Sequence, residues 1–374
     1  MAERSYRDAC EMEPEHGAAN ERLGDVLRDR SQFDDAVDCY RRALKTDPGR
    51  HGSHKGLIDA LLRRDGVEAA FDAYGLTGDA EAISSVEDVL ACTVVRNERF
   101  QLDDFLAHHR ALGVTRFLFV DNGSTDGTVE FLNAQSDVSL LNGKGSFRAV
   151  NFGSAWFELA LRRWRPNGWT LLIDADERFV HPIDEHAKLH ELVTWLDGCQ
   201  HRGMTAVLLD MYGPGPVADT FFVEGSPFVE VCPYFDVPFF HREVPKAGPY
   251  RNARIFEGGM RTRVFGDASP LLSKVPLVKY GPEVVLTGGQ HFTNIPDEGL
   301  SPARAALLHM KYSAGLFGRA SIEIARGEHY DNAGFYRPIV SRLTTEPNLS
   351  FYTPGVSVRY CDAESLLNAG VLCR

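Results

Sequence analysis

The chain has 374 residues, 44% hydrophobic and 25% charged, with 40 basic against 52 acidic side chains and a net charge of −12. That length suggests two to two and a half domains of roughly 150 residues, enough to bury a core without disulfide or metal staples. The acidic balance argues against a nucleic-acid partner or an anionic membrane surface, both of which call for a basic face.

From the first residue onward, side chains recur at a spacing of 34: Tyr6, Ala9 and Pro14 return as Tyr40, Ala43 and Pro48. Leu23, Leu27, Ala36 and Tyr40 return in turn as Leu57, Leu61, Ala70 and Tyr74. Leu23 and Leu27 fall one turn apart on one helix face, and Ala36, Tyr40 and Ala43 share a face of the next. The small alanines let paired helices approach, and Pro48 stops the second helix. The pattern resembles the tetratricopeptide repeat. Its first copy is only half present, and its third decays at Gly75, Thr77 and Gly78. Two readings follow for this all-α segment, residues 1–80. Either its concave face recruits a protein partner, or it is a helical extension packed on the next domain.

Residues 75–88 read as a linker. After them the period changes to short apolar strands alternating with helices: strand Val89–Val95, helix Leu102–Leu112, strand Phe117–Val120, helix Thr128–Leu132, strand Val138–Leu141, helix Phe152–Trp164 and strand Trp169–Ile173. This pattern predicts parallel β-α-β units with a sheet covered on both faces. Ligands of such sheets bind beyond the carboxyl ends of the strands. Three strands end there in polar segments: Arg96-Asn97-Glu98, Asp121 to Thr128, and Asp174-Ala175-Asp176-Glu177.

Residues i and i+2 of a strand share a side, so Asp174 and Asp176 point two carboxylates together. They repel unless a cation joins them, and hard ions such as Mg²⁺ or Mn²⁺ take oxygen ligands and share them with phosphates. The plainer alternative is a capped turn. Asp121, at its own strand end, can accept from a nucleobase N–H or a ribose hydroxyl.

Together the segments T-V-V-R-N-E-R, F-V-D-N-G-S-T-D-G-T and L-L-I-D-A-D-E-R-F resemble the family 2-type glycosyltransferases of the GT-A fold, in a branch with D-A-D-E. The likeness covers residues 89–180 and continues more weakly toward the C-terminus. It implies an α/β GT-A domain, Rossmann-like with a mostly parallel sheet, over 86–335, and a helical tail over 336–374 packing on it. It also implies an inverting sugar transfer from a nucleotide-diphospho-sugar, a UDP-sugar first of all, to an acceptor hydroxyl of a glycan, lipid or protein. The implied setting is bacterial polysaccharide or glycoconjugate synthesis. By position, the resemblance gives Asp121 the base, Asp174 the ribose or metal, and Asp176 the Mn²⁺ or Mg²⁺ that bridges the diphosphate. Arg96, Asn97 and Glu98 would line the nucleotide pocket, with Arg148 and Asn151 near the donor.

The leaving diphosphate gathers charge, which cations stabilise. Within 242–279 stand Arg242, Lys246, Arg251, Arg254, Arg261, Arg263, Lys274 and Lys279. Arg261, Arg263 and Lys274 are the expected phosphate contacts; surface ion pairs are the alternative. His291, after a predicted strand Val284–Leu286, and His309, on a predicted apolar helix, are candidate metal ligands, with His329 behind them. An inverting transfer needs a base; Asp236 leads, then Glu224 and Glu230, the first of these before a predicted helix start at Ser226-Pro227. Residues 359–367 read as a capped helix.

No apolar run approaches the ~20 residues of a bilayer span, the polar opening does not read as a secretory signal, and the scattered cysteines at 10, 39, 92, 199, 232, 361 and 373 form no C-x-x-C pair. A cytoplasmic protein with reduced thiols is expected. A competing function is a nucleotide-sugar-binding module without turnover, its repeats holding a partner. A nucleotidyltransferase is disfavoured because the first strand ends in Val-Arg-Asn-Glu-Arg rather than a Gly-rich loop.

Overall fold

A computed structural model describes residues 2–80, 88–183, 187–222, 225–237, 239–242, 255–266, 271–328 and 330–374. Glu224 and His329, and Lys246, Arg251 and Arg254 of the basic segment, lie outside the described residues.

The chain opens with five helices: α1 (Ala2–Met12), α2 (Gly17–Asp29), α3 (Phe33–Thr46), α4 (His51–Arg64) and α5 (Val67–Ala73). Tyr40 on α3 is fully buried, and its ring lies where Cβ atoms at Gly24 and Gly56 would be. These two glycines are thus the room that one aromatic ring needs to seat between α2 and α4. The Tyr40 hydroxyl donates to Asp25 Oδ1 (2.9 Å).

The array ends by becoming sheet. Inside the expected linker, β1 (Leu76–Thr77) pairs antiparallel with the edge of the following sheet. Gly75, at φ +61°, accepts the Lys144 N–H (2.8 Å), and a Cβ there would strike the Lys144 carbonyl. The remaining strands are β2 (Leu90–Val95), β3 (Arg116–Asp121), β4 (Val138–Gly143), β5 (Gly168–Leu172), β6 (Glu177–Val180), β7 (Gly203–Asp210), β8 (Tyr234–Asp236), β9 (Phe239–Arg242), β10 (Ile255–Gly258), β11 (Ser273–Tyr280), β12 (Leu300–His309) and β13 (Ser357–Arg359). Helices α6 (Arg99–Leu112), α7 (Thr128–Asn133) and α8 (Ser154–Trp164) connect β2 to β5 as the alternation predicted.

The large sheet runs β1-β4-β3-β2-β5-β11-β7-β12-β6. Strands β4, β3, β2 and β5 are mutually parallel, as are β7 and β12. The strand β11 enters antiparallel between β5 and β7. The order climbs outward from β2 to β4 and then returns to β5 on the other side of β2. That reversal is a topological switch point, where the loops after β2 and β5 part and leave a crevice.

Apolar side chains cover both faces. One core joins the sheet to α6 and to α9 (Leu189–Gly198). The other runs without a break from Leu23, Tyr40 and Leu61 of the repeats to Trp156, Trp164 and Leu172. Across this seam Lys55 pairs with Glu158 (3.4 Å), Arg162 with Asp59 (2.5 Å) and Arg163 with Glu68 (2.7 Å). The repeats therefore share a core with the sheet domain, as the packed-extension reading expects.

Four further helices, α10 (Phe228–Val231), α11 (Gly259–Phe265), α12 (Leu316–Arg326) and α13 (Tyr330–Ala333), precede α14 (Tyr336–Thr345). A third core joins Tyr336, Ile339 and Leu343 to Tyr212, Met260 and Tyr312, so packing is continuous through residue 336. The last helix, α15 (Ala363–Asn368), is capped by Asp362, whose side chain accepts the Ser365 N–H (2.7 Å). Three local expectations are corrected. His309 ends a strand rather than riding a helix, residues 284–286 form an irregular segment rather than a strand, and α10 starts at Phe228 with Pro227 in the cap position.

Two outcomes follow for the repeat segment. Gly56→Ala forces a methyl against the Tyr40 ring and costs about 1–3 kcal/mol, read as a lower melting temperature. Burial drives His54 from its ordinary value near 6.5 down to about 4. Between those values the unfolded chain takes a proton that the folded one refuses, so stability falls as pH drops through that window. His54→Gln flattens this acid limb in melts from pH 7 to pH 4; an unchanged slope overturns the assignment.

Candidate functional site

The switch-point crevice is built from three strand ends. After β5 the chain places Asp174, Asp176 and Glu177 so that one oxygen of each lies within 4.8 Å of the others. Asp174 is exposed, Asp176 half-buried and Glu177 buried. Strand pairing delivers their neighbours. In register, His309 of β12 faces Asp210 of β7 on one side and Glu177 of β6 on the other. Because β11 runs antiparallel, its first residues reach the same end of the sheet, and Lys274 Nζ bonds both Asp174 Oδ2 (2.7 Å) and Glu177 Oε1 (2.5 Å).

The electrostatics follow from this crowding. Burial, with Asp174 and Asp176 beside it, raises the Glu177 carboxyl to about 7 despite Lys274. Burial also opposes charge on Asp176, but His309 and Lys311 outweigh it and hold that carboxylate below its usual range. His309 is buried, which disfavours its cation. The carboxylates on its two nitrogens, Asp176 at 3.2 Å from Nε2 and Asp210 at 2.8 Å from Nδ1, prevail and raise it. Behind Asp210, Arg261 Nε closes the chain at 2.7 Å. The Lys311 ammonium stands 3.8 Å from Asp176. Burial, with Asp176 nearby, lifts Glu98 to about 8.

The donor set is oxygen-only, negative, and open on the Asp174 side. It suits a hard divalent ion, which would relieve the repulsion among the three carboxylates. Glu177 was not singled out from the sequence as a ligand, although it closes D-A-D-E. His309 reaches Asp176 rather than joining the oxygen cluster. His291 gives Nδ1 to the Ser273 carbonyl (2.7 Å), and burial with Lys274 pushes it down to about 4.

The other expected residues fall into two groups. Near the crevice, Arg96 donates to the Asn122 carbonyl. Asn97, at φ +56°, accepts the Thr125 N–H (2.8 Å) and its own N–H donates to Ser124 Oγ (2.9 Å). Asp121 is buried and accepts the N–H groups of Gly123 (2.9 Å) and Ser124 (3.1 Å), the turn-capping arrangement. Elsewhere, Arg148 is exposed and bonds Asn332. Asn151 is buried against His51 of the repeats. Arg263 forks onto Asp236 (2.7 and 2.9 Å) and reaches the Phe351 carbonyl (2.6 Å). Asp236 also accepts from the Tyr212 hydroxyl, so its buried carboxylate ties the C-terminal segment down. Glu230 is exposed on α10.

Sequence reasoning missed Asp210, Lys311 and Arg319. Asp210 carried a signal, since it closes the apolar run Thr205–Leu209 as Asp121 and Asp174 close theirs. Lys311 and Arg319 carried none, because they stand near Asp176 only through the turn after β12 and through α12.

Among known proteins, the tetratricopeptide repeat family matches residues 2–51 and 21–81. No curated protein matches the chain. Two solved structures overlap it in part. A mutant O-GlcNAc transferase of Thermobaculum terrenum is 19% identical over 43% of this chain and 33% of that one, with a TM-score of 0.17. TarS of S. aureus is 18% identical over 37% and 23%, with a TM-score of 0.23. Overlaps of that size carry no argument about the site.

Lys274→Met strips Asp174 and Glu177 of their ammonium. The melting temperature should fall by about 5 °C or more in EDTA and recover with millimolar Mg²⁺ or Mn²⁺, by more than the unsubstituted chain gains. A variant indifferent to divalent ions means the three carboxylates hold none.

Proposed function

We propose that the chain is a metal-dependent, inverting glycosyltransferase of the GT-A type. It would move a sugar from a nucleotide-diphospho-sugar, UDP-sugar first, to an acceptor hydroxyl of a glycan, lipid or protein. The observation that carries this is the Asp174, Asp176 and Glu177 cluster at the carboxyl end of β5, in the crevice where the strand order reverses.

In this reading Asp174, Asp176 and Glu177 hold Mn²⁺ or Mg²⁺, which supplies charge neutralisation for the donor diphosphate. The chain's own residues do the rest. The loops of Arg96–Glu98 and Asp121–Thr128, laced together through Asn97, Ser124 and Thr125, form the wall for the nucleoside. The His309, Asp210 and Arg261 chain fixes Asp176 from behind. Lys311 and Arg319 add positive charge on the open side, where a leaving diphosphate develops its own.

One observation favours the second reading, a nucleotide-sugar-binding module without turnover: the leading base from the sequence, Asp236, is consumed by Arg263 and Tyr212. Calorimetric titration of UDP, GDP, CDP and dTDP with Mn²⁺, repeated in EDTA, tests the shared premise. One nucleotide should bind, only with metal, and Asp176→Ala, assayed well below its lowered melting temperature, should lose that binding at least tenfold. Metal-independent binding, or none, overturns both readings. Release of nucleotide from the sugar donor then separates enzyme from module.

A further inference from the structure

Strand β11 carries Lys274 to the acid cluster, yet the sheet holds the start of that strand on one side only. Its ladder with β5 spans Leu277–Tyr280. On the other side Ser273 and Lys274 pair with Val207 and Ala206 of β7, and the register then shifts between Lys274 and Leu277. Pro276, inside that shift, has no N–H to give.

One side chain makes up for the missing ladder. His291 Nδ1 bonds the Ser273 carbonyl (2.7 Å). A carbonyl only accepts, so Nδ1 carries the hydrogen, and the ring holds the peptide that leads into Lys274. From there Lys274 Nζ reaches Asp174 Oδ2 and Glu177 Oε1. Ser273 is held at its side chain as well, where Oγ accepts the Phe256 N–H (2.6 Å).

The turn that delivers His291 is tied to itself and braced from the repeats. Thr287 Oγ1 donates to the Phe292 carbonyl (3.0 Å) and accepts the Phe292 N–H (3.2 Å). Within the turn Gly289 and Gln290 are left-handed, at φ +68° and +57°. Against it lies a second left-handed pair, Asn151 and Phe152, at φ +54° and +52°. The two turns touch: a Cβ on Gly288 would lie 2.7 Å from the Phe152 ring. Asn151 in turn bonds His51 of α4. Left-handed backbone at residues with side chains persists where the surroundings over-determine it, and it gathers at functional sites.

From this arrangement we propose that His291 is a positioning residue of the acid cluster. By holding the Ser273 carbonyl it fixes the Lys274 ammonium on Asp174 and Glu177, and so sets how readily a divalent cation takes those oxygens. The proposal rests on the transferase reading, which supplies the cation. An ammonium bonded to two of the three carboxylates competes with a metal for the same lone pairs. Loosening it frees them, so loss of His291 should act in the same direction as loss of Lys274. A ring that ligated the metal itself would act in the opposite direction.

Melts of the full chain in EDTA and in millimolar Mn²⁺ read the gain that the ion gives. His291→Ala should gain at least about 3 °C more than the unsubstituted chain. His291→Asn, whose side-chain N–H stands in for Nδ1, should return the gain to the unsubstituted value, even where both variants melt lower throughout. In the Lys274→Met background, His291→Ala should leave the gain as it is, because the lysine through which it acts is gone. A gain lost in both His291 variants makes the ring a ligand and overturns the proposal. So does a gain that His291→Ala leaves at the unsubstituted value, the result of a packing role alone. The two claims separate in the same melts. Indifference to Mn²⁺ in every chain, Lys274→Met included, removes the metal site and the transferase reading along with the proposal. An ion response that no His291 variant alters removes the positioning role and keeps the transferase.

Discussion

Three carboxylates brought to one strand end repel one another, and much of this chain is arranged to answer that repulsion. Asp174, Asp176 and Glu177 stand together after β5, where burial makes the charge of Asp176 and Glu177 still more costly. The answer is delivered by topology. An antiparallel strand inserted into a parallel region puts its first residues where its neighbours put their last, and β11 brings Lys274 to the cluster in this way. The parallel pair β7 and β12 brings Asp210 and His309 level with Glu177. Alternating charge then runs outward from Asp176 through His309 and Asp210 to Arg261. His309, Asp210 and Arg261 are buried and each member pairs with the next, so the loss of any one leaves a buried charge facing a like or empty neighbour, the expensive case.

The same logic explains why the repeats cannot be regarded as an appendage. Tetratricopeptide arrays offer a face to partners, yet here α4 lays Lys55 and Asp59 against Glu158 and Arg162 of α8, and Leu76 extends the sheet. Trp156 is fully buried and its indole N–H donates to the Tyr74 carbonyl (2.9 Å). A stack of two and a half repeats would expose its ends; one end is covered by the sheet domain. Protein partners of the repeats are left with the surface that α8 does not use.

Local pattern made a good part of this legible, and the boundary of that legibility is physical. The repeat spacing, the strands β2 to β5 and their polar ends follow from periodicity, because each is encoded within a few residues of itself. His309 was misassigned because L-L-H-M-K-Y is apolar on every side, and a strand buried on both faces has no alternation to distinguish it from a buried helix. Lys274 was expected on a phosphate because its sequence neighbours are basic; its actual partners lie about 100 residues away and meet it only through strand order. Asp236 and Arg263 were read separately, as base and phosphate contact, and turn out to satisfy each other. An acid and a base that the fold pairs leave no trace of the pairing in sequence spacing.

What pairs and what does not also gives the crevice its direction. Arg263 forks onto Asp236, and Arg261 gives its Nε to Asp210. Lys311, in the turn after β12, stands 3.8 Å from Asp176, and Arg319 of α12 covers Phe100. The strand ends supply the charge and the later helices supply the shape, which is why the N-terminal half of the sheet domain was readable as chemistry while the C-terminal half had to be seen folded.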